Sequence, residues 1–296
     1  MDQAFTDRFW TGQGGLKLHA RDYAGASGDA RAPVVCLHGL TRNAKDFEDL
    51  APRIAGRGRR VLALDVRGRG QSAWDPDPMR YVPTVYAGDV LALLDALAIS
   101  RAVFIGTSMG GLITMVVAAL RPSAVAAAVL NDVGPDLAPE GLKRIAAYAG
   151  QTAEAANWAE AAAFARERNI VAFPRYTPEQ WMAFARRLFV EKDGGPVLDY
   201  DPDIAKAFAP PPPPPPGQEP PPPADLWPLF KGLATGRPLL TIRGGTSDLL
   251  SPAIAERMRD AAPEMAYVEV PGVGHAPMLD EPEAFEAIDA LLEKAP

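Results

Sequence analysis

Short apolar runs, bounded by Gly, Pro or Asp, alternate along this chain with longer segments of helical periodicity. Runs that are apolar at nearly every position are typical of strands buried on both faces. When such strands alternate with helices, they form a mostly parallel sheet that helices cover on both sides. The sequence therefore predicts an α/β fold. The predicted strands are residues 33–37, 60–65, 102–106, 126–131, 239–243 and 266–270.

Helices are predicted between these strands because apolar residues recur there every three or four positions, as Val90, Leu94 and Leu97 do. Residues 8–23 instead alternate around three glycines and predict an antiparallel hairpin at the edge of the sheet. The predicted helices of the core are residues 45–57, 84–98, 108–121, 252–261 and 281–294.

Residues 135–228 interrupt this alternation, because no run within them is typical of a buried strand. We predict that they form a helical insertion, and that residues 1–134 and 229–296 form the core. The predicted helices of the insertion are residues 139–150, 152–169 and 177–192.

The insertion ends in two proline tracts, at residues 210–216 and 220–223. Proline fixes φ and lacks an N–H group, so both tracts are expected to be extended polyproline II. The simplest interpretation is a stiff strap that ties the insertion to the core. The alternative is a ligand for a proline-recognition domain.

Charge and cysteine content exclude several classes of function. The chain has a formal net charge of −7, which disfavours nucleic acid or an anionic membrane as a partner. Cys36 is the only cysteine, so neither an intrachain disulfide nor a cysteine metal site can form. The first residues do not resemble a secretion signal, and no apolar run approaches the ~20 residues of a transmembrane helix. We therefore expect a cytoplasmic protein that needs no metal or other cofactor.

The run Gly106-Thr107-Ser108-Met109-Gly110 matches the pattern G-x-S-x-G, between a predicted strand and a predicted helix. A serine at such a tight turn needs small residues two positions before and after it, because the backbone passes very close to itself. The turn would present the Ser108 hydroxyl at a helix N-terminus. The N–H of Met109 would then point to where an oxyanion forms. The motif predicts a nucleophilic serine.

A serine hydroxyl needs a neighbouring base, and the chain offers three histidines. His19 lies in the predicted edge hairpin, and His38 directly follows a predicted buried strand. The His38 ring is expected to bond nearby backbone, while the N–H of Leu40 would be a second oxyanion donor. His275 lies in a glycine-rich loop after the last predicted strand, so it is predicted to be the base.

The base needs a carboxylate to hold its tautomer and to stabilise the imidazolium. Asp248 follows the penultimate predicted strand, and the chain order Ser108, Asp248, His275 is the one expected for this elbow motif. The alternative is Asp132, which directly follows the preceding strand and would lie at the same edge of the sheet. Asp248 is predicted as the acid, with Asp132 left open.

Together these motifs resemble the α/β-hydrolase family over most of the chain. The resemblance rests on His38-Gly39, the run Asp65-Val66-Arg67-Gly68-Arg69-Gly70-Gln71-Ser72, the Ser108 elbow, Asp248, His275, and the segment from Gly274 to Pro282. It implies a mostly parallel eight-stranded α/β-hydrolase sheet flanked by helices, with a helical cap inserted after the sixth strand. It also implies a serine hydrolase that works through an acyl-enzyme.

Serine as nucleophile favours the hydrolysis of small carboxylic esters, with hydrolysis of enol-lactones or acyl-lactones as the alternative. Vinylogous C–C hydrolases that resemble this chain often carry Trp after the base histidine, where this chain has Ala276. A small-ligand receptor on a hydrolase scaffold is the non-enzymatic alternative. Substrate contacts are expected from His38, Gly39 and Met278. The apolar acyl pocket is expected from Leu40, Met109, Met278, Trp158, Phe164, Trp181 and Phe184.

Overall fold

An eight-stranded sheet forms the centre of the protein, in a computed structural model that describes residues 5–28, 30–208 and 224–296. The strands in these ranges are β1 (Thr6–Thr11), β2 (Lys17–Tyr23), β3 (Val34–Leu37), β4 (Val61–Asp65), β5 (Ala102–Thr107), β6 (Val125–Asn131), β7 (Phe189–Lys192), β8 (Gly195–Leu198), β9 (Leu239–Gly244) and β10 (Ala266–Val270). The sheet order is β1-β2-β4-β3-β5-β6-β9-β10, while β7 and β8 pair separately. The β1–β2 and β2–β4 pairs are antiparallel and the other pairs of the sheet are parallel. The predicted mostly parallel eight-stranded sheet is thus confirmed.

Helices cover both faces of this sheet, as the alternating pattern predicts. In the same ranges they are α1 (Leu50–Gly56), α2 (Pro83–Ala96), α3 (Met109–Leu120), α4 (Pro139–Tyr148), α5 (Trp158–Asn169), α6 (Pro178–Leu188), α7 (Trp227–Ala234), α8 (Pro252–Ala261) and α9 (Pro282–Lys294). One apolar core joins the sheet to α2, α3, α7 and α8, and a second joins the opposite face to α1 and α9.

Strand β3 shows why its sequence is apolar at every position. Val35 and Leu37 pack into one core, whereas Val34 and Cys36 pack into the other, because successive side chains point to opposite faces. All four are fully buried. A strand in this central place has no face left for a polar residue.

Several boundaries differ from the predicted ones. The predicted helix at 45–57 is a 3₁₀ turn (Ala44–Phe47) followed by α1. In the insertion, α5 begins only at Trp158, where the Asn157 side chain accepts a hydrogen bond from the N–H of Glu160. Helix α6 ends at Leu188, and the residues after it form β7 rather than more helix. The sequence patterns did not predict α7, β7 or β8.

Between β6 and β9 the chain leaves the sheet and forms α4, α5, α6 and the β7–β8 hairpin. We call residues 135–208 the cap segment. The Asn43 side-chain amide donates to the carbonyl oxygen of Arg187 at 2.9 Å, and the Lys45 ammonium lies 2.9 Å from the Asp199 carboxylate. These contacts join the cap segment to the loop after β3. The proposed division at residues 134/135 and 228/229 stays a prediction.

The two proline tracts lie outside the described residues, so their predicted polyproline conformation remains a prediction. Among the helices that the structure does describe, none has the length and apolar character needed to cross a membrane.

Candidate active site

Ser108 lies at the sharp turn between β5 and α3. Its backbone has φ 51° and ψ −114°, a strained conformation for a residue that carries a Cβ. A Cβ on Gly106 would lie 2.4 Å from the carbonyl group of Gly110, and one on Gly110 would lie 2.0 Å from the carbonyl oxygen of Leu37. Any larger residue at either position would clash with the backbone, so both positions require glycine, as the motif predicts. The turn places the Ser108 hydroxyl at the carboxyl edge of the sheet.

His275, in the loop after β10, connects Ser108 to a carboxylate. Its Nε2 lies 3.0 Å from Ser108 Oγ, and its Nδ1 lies 2.7 Å from Asp132 Oδ2. Asp132 directly follows β6 and is fully buried. It also accepts hydrogen bonds from the N–H of Gly244 at 2.8 Å and from the hydroxyl of Ser247 at 2.6 Å. Because Asp132 acts as an acceptor, the Nδ1 of His275 carries the ring proton and its Nε2 can accept the proton of Ser108.

Among the described residues, the carboxylate that hydrogen-bonds to His275 is that of Asp132 and not that of Asp248, so that part of the predicted triad is corrected to Asp132. The carboxylate of Asp248 instead receives two hydrogen bonds from Arg144 of α4, at 2.6 and 2.7 Å. The Arg144 guanidinium holds the pKa of Asp248 below its usual range. The physical reason lies in the turn after β9, which directs Asp248 toward α4. Asp132 directly follows a strand that neighbours the strand of Ser108, and its carboxylate reaches His275 from there.

The other two histidines have structural contacts. His19 is fully buried, with Nδ1 2.7 Å from Asp65 and Nε2 2.9 Å from Asp7. His38 is also fully buried and does not line the cavity beside Ser108, so the predicted substrate contact by its ring is wrong. Its Nε2 accepts from the N–H of Val66 at 3.0 Å, so its Nδ1 donates to the carbonyl oxygen of Gly39 at 2.7 Å. This confirms the expected bond to nearby backbone.

The His38 contact orients the peptide group between Gly39 and Leu40. When the carbonyl oxygen of Gly39 is held by His38, the N–H of Leu40 points the opposite way. This loop abuts the nucleophile, since a Cβ on Gly39 would lie 3.8 Å from the Cβ of Ser108. Burial lowers the pKa of His38 to about 4, so the ring is neutral near pH 7 and keeps this tautomer. Within the described ranges, neither the N–H of Leu40 nor that of Met109 donates to a protein group.

A second side chain, Arg69, contacts both residues predicted to hold an oxyanion. Its Nε donates to the carbonyl oxygen of Leu40 at 2.9 Å, and its Nη2 lies 3.7 Å from the Sδ of Met109. Its Nη1 donates to the hydroxyl of Tyr86 at 3.0 Å. Arg69 is fully buried, and among the described residues no carboxylate lies within 4 Å of it. The sequence pattern did not predict these contacts of Arg69 with Leu40 and Met109; it only placed Arg69 in a glycine-rich loop.

A cavity of about 100 Å³ opens beside Ser108 and His275, under the cap segment. Five of the residues predicted for the acyl pocket or substrate contact line it, namely Gly39, Leu40, Phe164, Phe184 and Met278. Met109, Trp158 and Trp181 do not line it, contrary to prediction. The Met109 side chain contacts Arg69, Trp158 bonds to Glu191 at the surface, and Trp181 is buried among the aromatic side chains of the cap segment.

Two arginines in the cavity wall were missed by sequence reasoning. Arg42 is held by Asp46 through hydrogen bonds of 2.6 to 3.0 Å and stacks on Phe184. Arg168 stacks on Phe164, one helical turn earlier in α5, with its guanidinium carbon 3.5 Å from the ring centroid. The i, i+4 spacing of Phe164 and Arg168 is the one signal in the sequence that could have paired them.

Comparison with known proteins agrees with this geometry. Residues 34–288 match the model of the alpha/beta hydrolase family. The chain belongs to that family. A crystal structure of an alpha/beta hydrolase from Novosphingobium aromaticivorans superimposes with a TM-score of 0.90 and 48% identity, over the full length of both chains.

Two relatives of known name are hydrolases. A 3-hydroxybutyrate-oligomer hydrolase from Cupriavidus necator is 37% identical over 261 residues, which cover 86% of this chain and 87% of the relative. A 2-(acetamidomethylene)succinate hydrolase from Mesorhizobium japonicum is 29% identical over 245 residues, covering 82% and 81% of the two chains. The fold, the family and these relatives support hydrolase activity for this member.

Proposed function

We propose that this protein is a serine hydrolase of short carboxylic esters, and that oligoesters of small hydroxy acids are its natural substrates. One observation carries the proposal: Ser108 Oγ, the His275 ring and the Asp132 carboxylate form a continuous chain of hydrogen bonds of 3.0 and 2.7 Å at the edge of a cavity. This arrangement can activate a hydroxyl at neutral pH.

In the first half of the reaction, Ser108 attacks the ester carbonyl carbon while the Nε2 of His275 takes the hydroxyl proton. Asp132 stabilises the resulting imidazolium through its bond to Nδ1. The negative charge that develops on the carbonyl oxygen is held by the N–H groups of Leu40 and Met109. Loss of one such donor typically costs about 3 kcal/mol of transition-state stabilisation.

The intermediate collapses when His275 returns its proton to the leaving alkoxide, which departs as an alcohol. The acyl group is then bound to Ser108 as an ester. His275 next removes a proton from a water molecule, which attacks the acyl carbon. When this second intermediate collapses, His275 returns that proton to Ser108 Oγ, so that a carboxylic acid and the free Ser108 hydroxyl are released. Water, the three side chains and the two backbone N–H groups take part in these steps.

Two observations support short hydroxy-acid esters as substrates. The relative from Cupriavidus necator is named for the hydrolysis of 3-hydroxybutyrate oligomers, and it matches nearly the whole chain. The cavity of about 100 Å³ is smaller than the ~150 Å³ cavity that holds a benzene ring in an engineered protein, so an acyl group of about four carbons fits. Opening of a lactone would use the same steps, so lactones belong in the same substrate panel.

The test is hydrolysis of 3-hydroxybutyrate dimer and trimer, followed by release of 3-hydroxybutyrate, with p-nitrophenyl butyrate as a chromogenic ester. We expect turnover by the wild-type protein and a loss of at least about 10³-fold in Ser108→Ala. A fluorophosphonate probe should label the wild-type protein at Ser108 and leave the variant unlabelled. Equal rates for the two proteins on every ester and lactone would refute the proposal and favour a binding protein.

A further inference from the structure

Arg168 differs from the other arginines around the cavity in how its charge is balanced. Arg42 is neutralised by Asp46, and Arg144 beside the site is neutralised by Asp248. For Arg168, the only carboxylate within 4 Å in the described ranges is that of its neighbour Glu167. That contact joins Arg168 Nη1 to the Glu167 carboxylate at 3.5 Å, and the Glu167 side chain is 80% exposed, so solvent screens the pair. The wall of the cavity thus contains one cation with almost no internal counter-charge.

Neutral contacts fix the position of the Arg168 guanidinium. Its Nε and Nη2 donate to the side-chain oxygen of Gln151 at 3.3 and 2.9 Å. The amide nitrogen of Gln151 in turn donates to the carbonyl oxygen of Ala147 at 2.7 Å, which orients the oxygen toward Arg168. The ring of Phe164 supports the flat face of the guanidinium. An arginine held in this way by a neutral amide and a ring is ordered before any anion arrives.

These contacts leave the Nη1 group of Arg168 with only the 3.5 Å contact to the exposed Glu167 carboxylate, and Arg168 lies on a wall that Ser108 and His275 also line. A guanidinium recognises a carboxylate strongly, because charge-assisted hydrogen bonds are about twice as strong as neutral ones. The apolar remainder of the wall, including Leu188 and Leu198, suits the aliphatic part of the same ligand.

We infer that Arg168 is the receptor for a free carboxylate on the substrate, so that the preferred substrates are anionic esters such as oligoesters with a terminal carboxylate. The inference rests on the proposed function, since it assigns a substrate class to the same site. The net charge of −7 on the whole chain repels anions. A preference for an anionic ester must therefore come from a local cation.

The test compares two substrates that differ only in charge: 3-hydroxybutyrate dimer with its terminal carboxylate, and the same dimer with a terminal carboxamide. We expect the wild-type protein to prefer the carboxylate. In Arg168→Gln the ratio of the two kcat/KM values should fall about 10- to 100-fold, the range for loss of one charge-assisted hydrogen bond. Arg168→Lys, which keeps the charge but not the fork, should retain part of the preference.

Arg166 provides a matched control, because it lies on the same helix, is exposed and is absent from the cavity wall. Arg166→Gln should leave the ratio unchanged. If Arg168→Gln lowers both kcat/KM values equally, its role is to support the cavity and the inference is wrong. It is equally wrong if the wild-type protein shows no preference for the carboxylate.

A binding measurement separates this inference from the proposed function. Titration of 3-hydroxybutyrate into the wild-type, Arg168→Gln and Arg166→Gln proteins needs no catalysis. Weaker binding to Arg168→Gln alone supports the carboxylate site even if no ester is hydrolysed, an outcome that would refute only the proposed function. Equal binding to all three proteins, or none to any of them, would overturn the carboxylate site.

Discussion

Replacement of Asp132 by Asn tests the central hydrogen-bond chain with almost no change in shape. The side chain must keep an acceptor toward the fixed main-chain N–H of Gly244, which lies 2.8 Å from Oδ1. The amide oxygen of the new residue therefore takes the place of Oδ1. Its NH₂ group then takes the place of Oδ2 and faces the Nδ1 of His275.

That arrangement changes the tautomer of the base. An NH₂ group cannot accept a proton, so His275 holds its own proton on Nε2 and presents no lone pair to Ser108. Returning to the productive tautomer loses a charge-assisted bond and sets two donors against each other inside the protein. The two effects together cost about 3 to 6 kcal/mol, which corresponds to a fall in kcat of about 10²- to 10⁴-fold.

The assay is steady-state hydrolysis of p-nitrophenyl butyrate by Asp132→Asn, with Asp248→Asn as the matched control. Asp248 also lies in a loop after a strand of the sheet, yet it is partly exposed and bonds to Arg144. We expect the control to retain kcat within about tenfold of wild type, because its loss removes a partly solvated ion pair. Near-normal turnover in Asp132→Asn together with a loss above 100-fold in Asp248→Asn would refute the assignment.

Three further outcomes follow from the site. Arg69→Met should lower kcat about 10- to 30-fold with little change in KM, because it removes a buried charge beside the oxyanion donors. The kcat of Arg69→Lys should lie between those of the wild type and Arg69→Met, and steady-state kinetics on a short ester measures kcat and KM for each protein. The pKa of His38 is about 4 in the fold and 6.5 in the unfolded chain, so the unfolded chain binds more protons between these values and unfolding free energy falls as pH decreases through them. The loss is on the order of 3 kcal/mol, and urea titrations at pH 4.5 and 7 should show it in the wild type but not in His38→Gln. Finally, p-nitrophenyl butyrate should be hydrolysed with a higher kcat/KM than the octanoate, whose chain exceeds a cavity of about 100 Å³; equal values would contradict this volume argument.

The nucleophile and the base could be predicted because the signals for both are local. The turn around Ser108 is set by glycines within two residues, whose contacts leave no room for a Cβ. His275 was predicted by elimination among three histidines and by its place after the last strand. The structure gives the other two rings hydrogen-bond partners away from Ser108: His19 lies between Asp65 and Asp7, and His38 bonds to backbone.

The cap segment was harder to predict, because aromatic residues in a helical pattern show no preference between a core and a cavity wall. Trp181 and Phe184 are three residues apart on α6, yet only Phe184 reaches the cavity beside Ser108. Trp181 packs against Phe173 and Tyr176 instead. Which face of α6 meets the site depends on its packing against α5, and that packing is a long-range property.

The choice between two acids was also decided by long-range packing. The loop that carries Asp248 is fastened to the start of α4 by its backbone as well as by its side chain. The N–H of Gly141 donates to the carbonyl oxygen of Asp248 at 3.0 Å, and that of Ala138 donates to the carbonyl oxygen of Leu249 at 2.9 Å. A Cβ on Gly141 would lie 2.7 Å from both the Asp248 oxygen and the Leu249 Cα, so the approach is as close as a glycine permits.

The packing of this loop against α4 gives Asp132 and Asp248 different partners. Because Asp132 already bonds to the Nδ1 of His275, Asp248 is available to hold Arg144 and with it the helix that carries Tyr148 to the cavity wall. If Asp248 were the partner of His275, α4 would lose the two hydrogen bonds that Arg144 makes to the loop after β9. The choice of Asp132 as the acid and the attachment of α4 through Asp248 therefore depend on each other. The spacing of residues along the sequence predicts that both aspartates lie near this edge of the sheet, but it does not predict which of them bonds to His275.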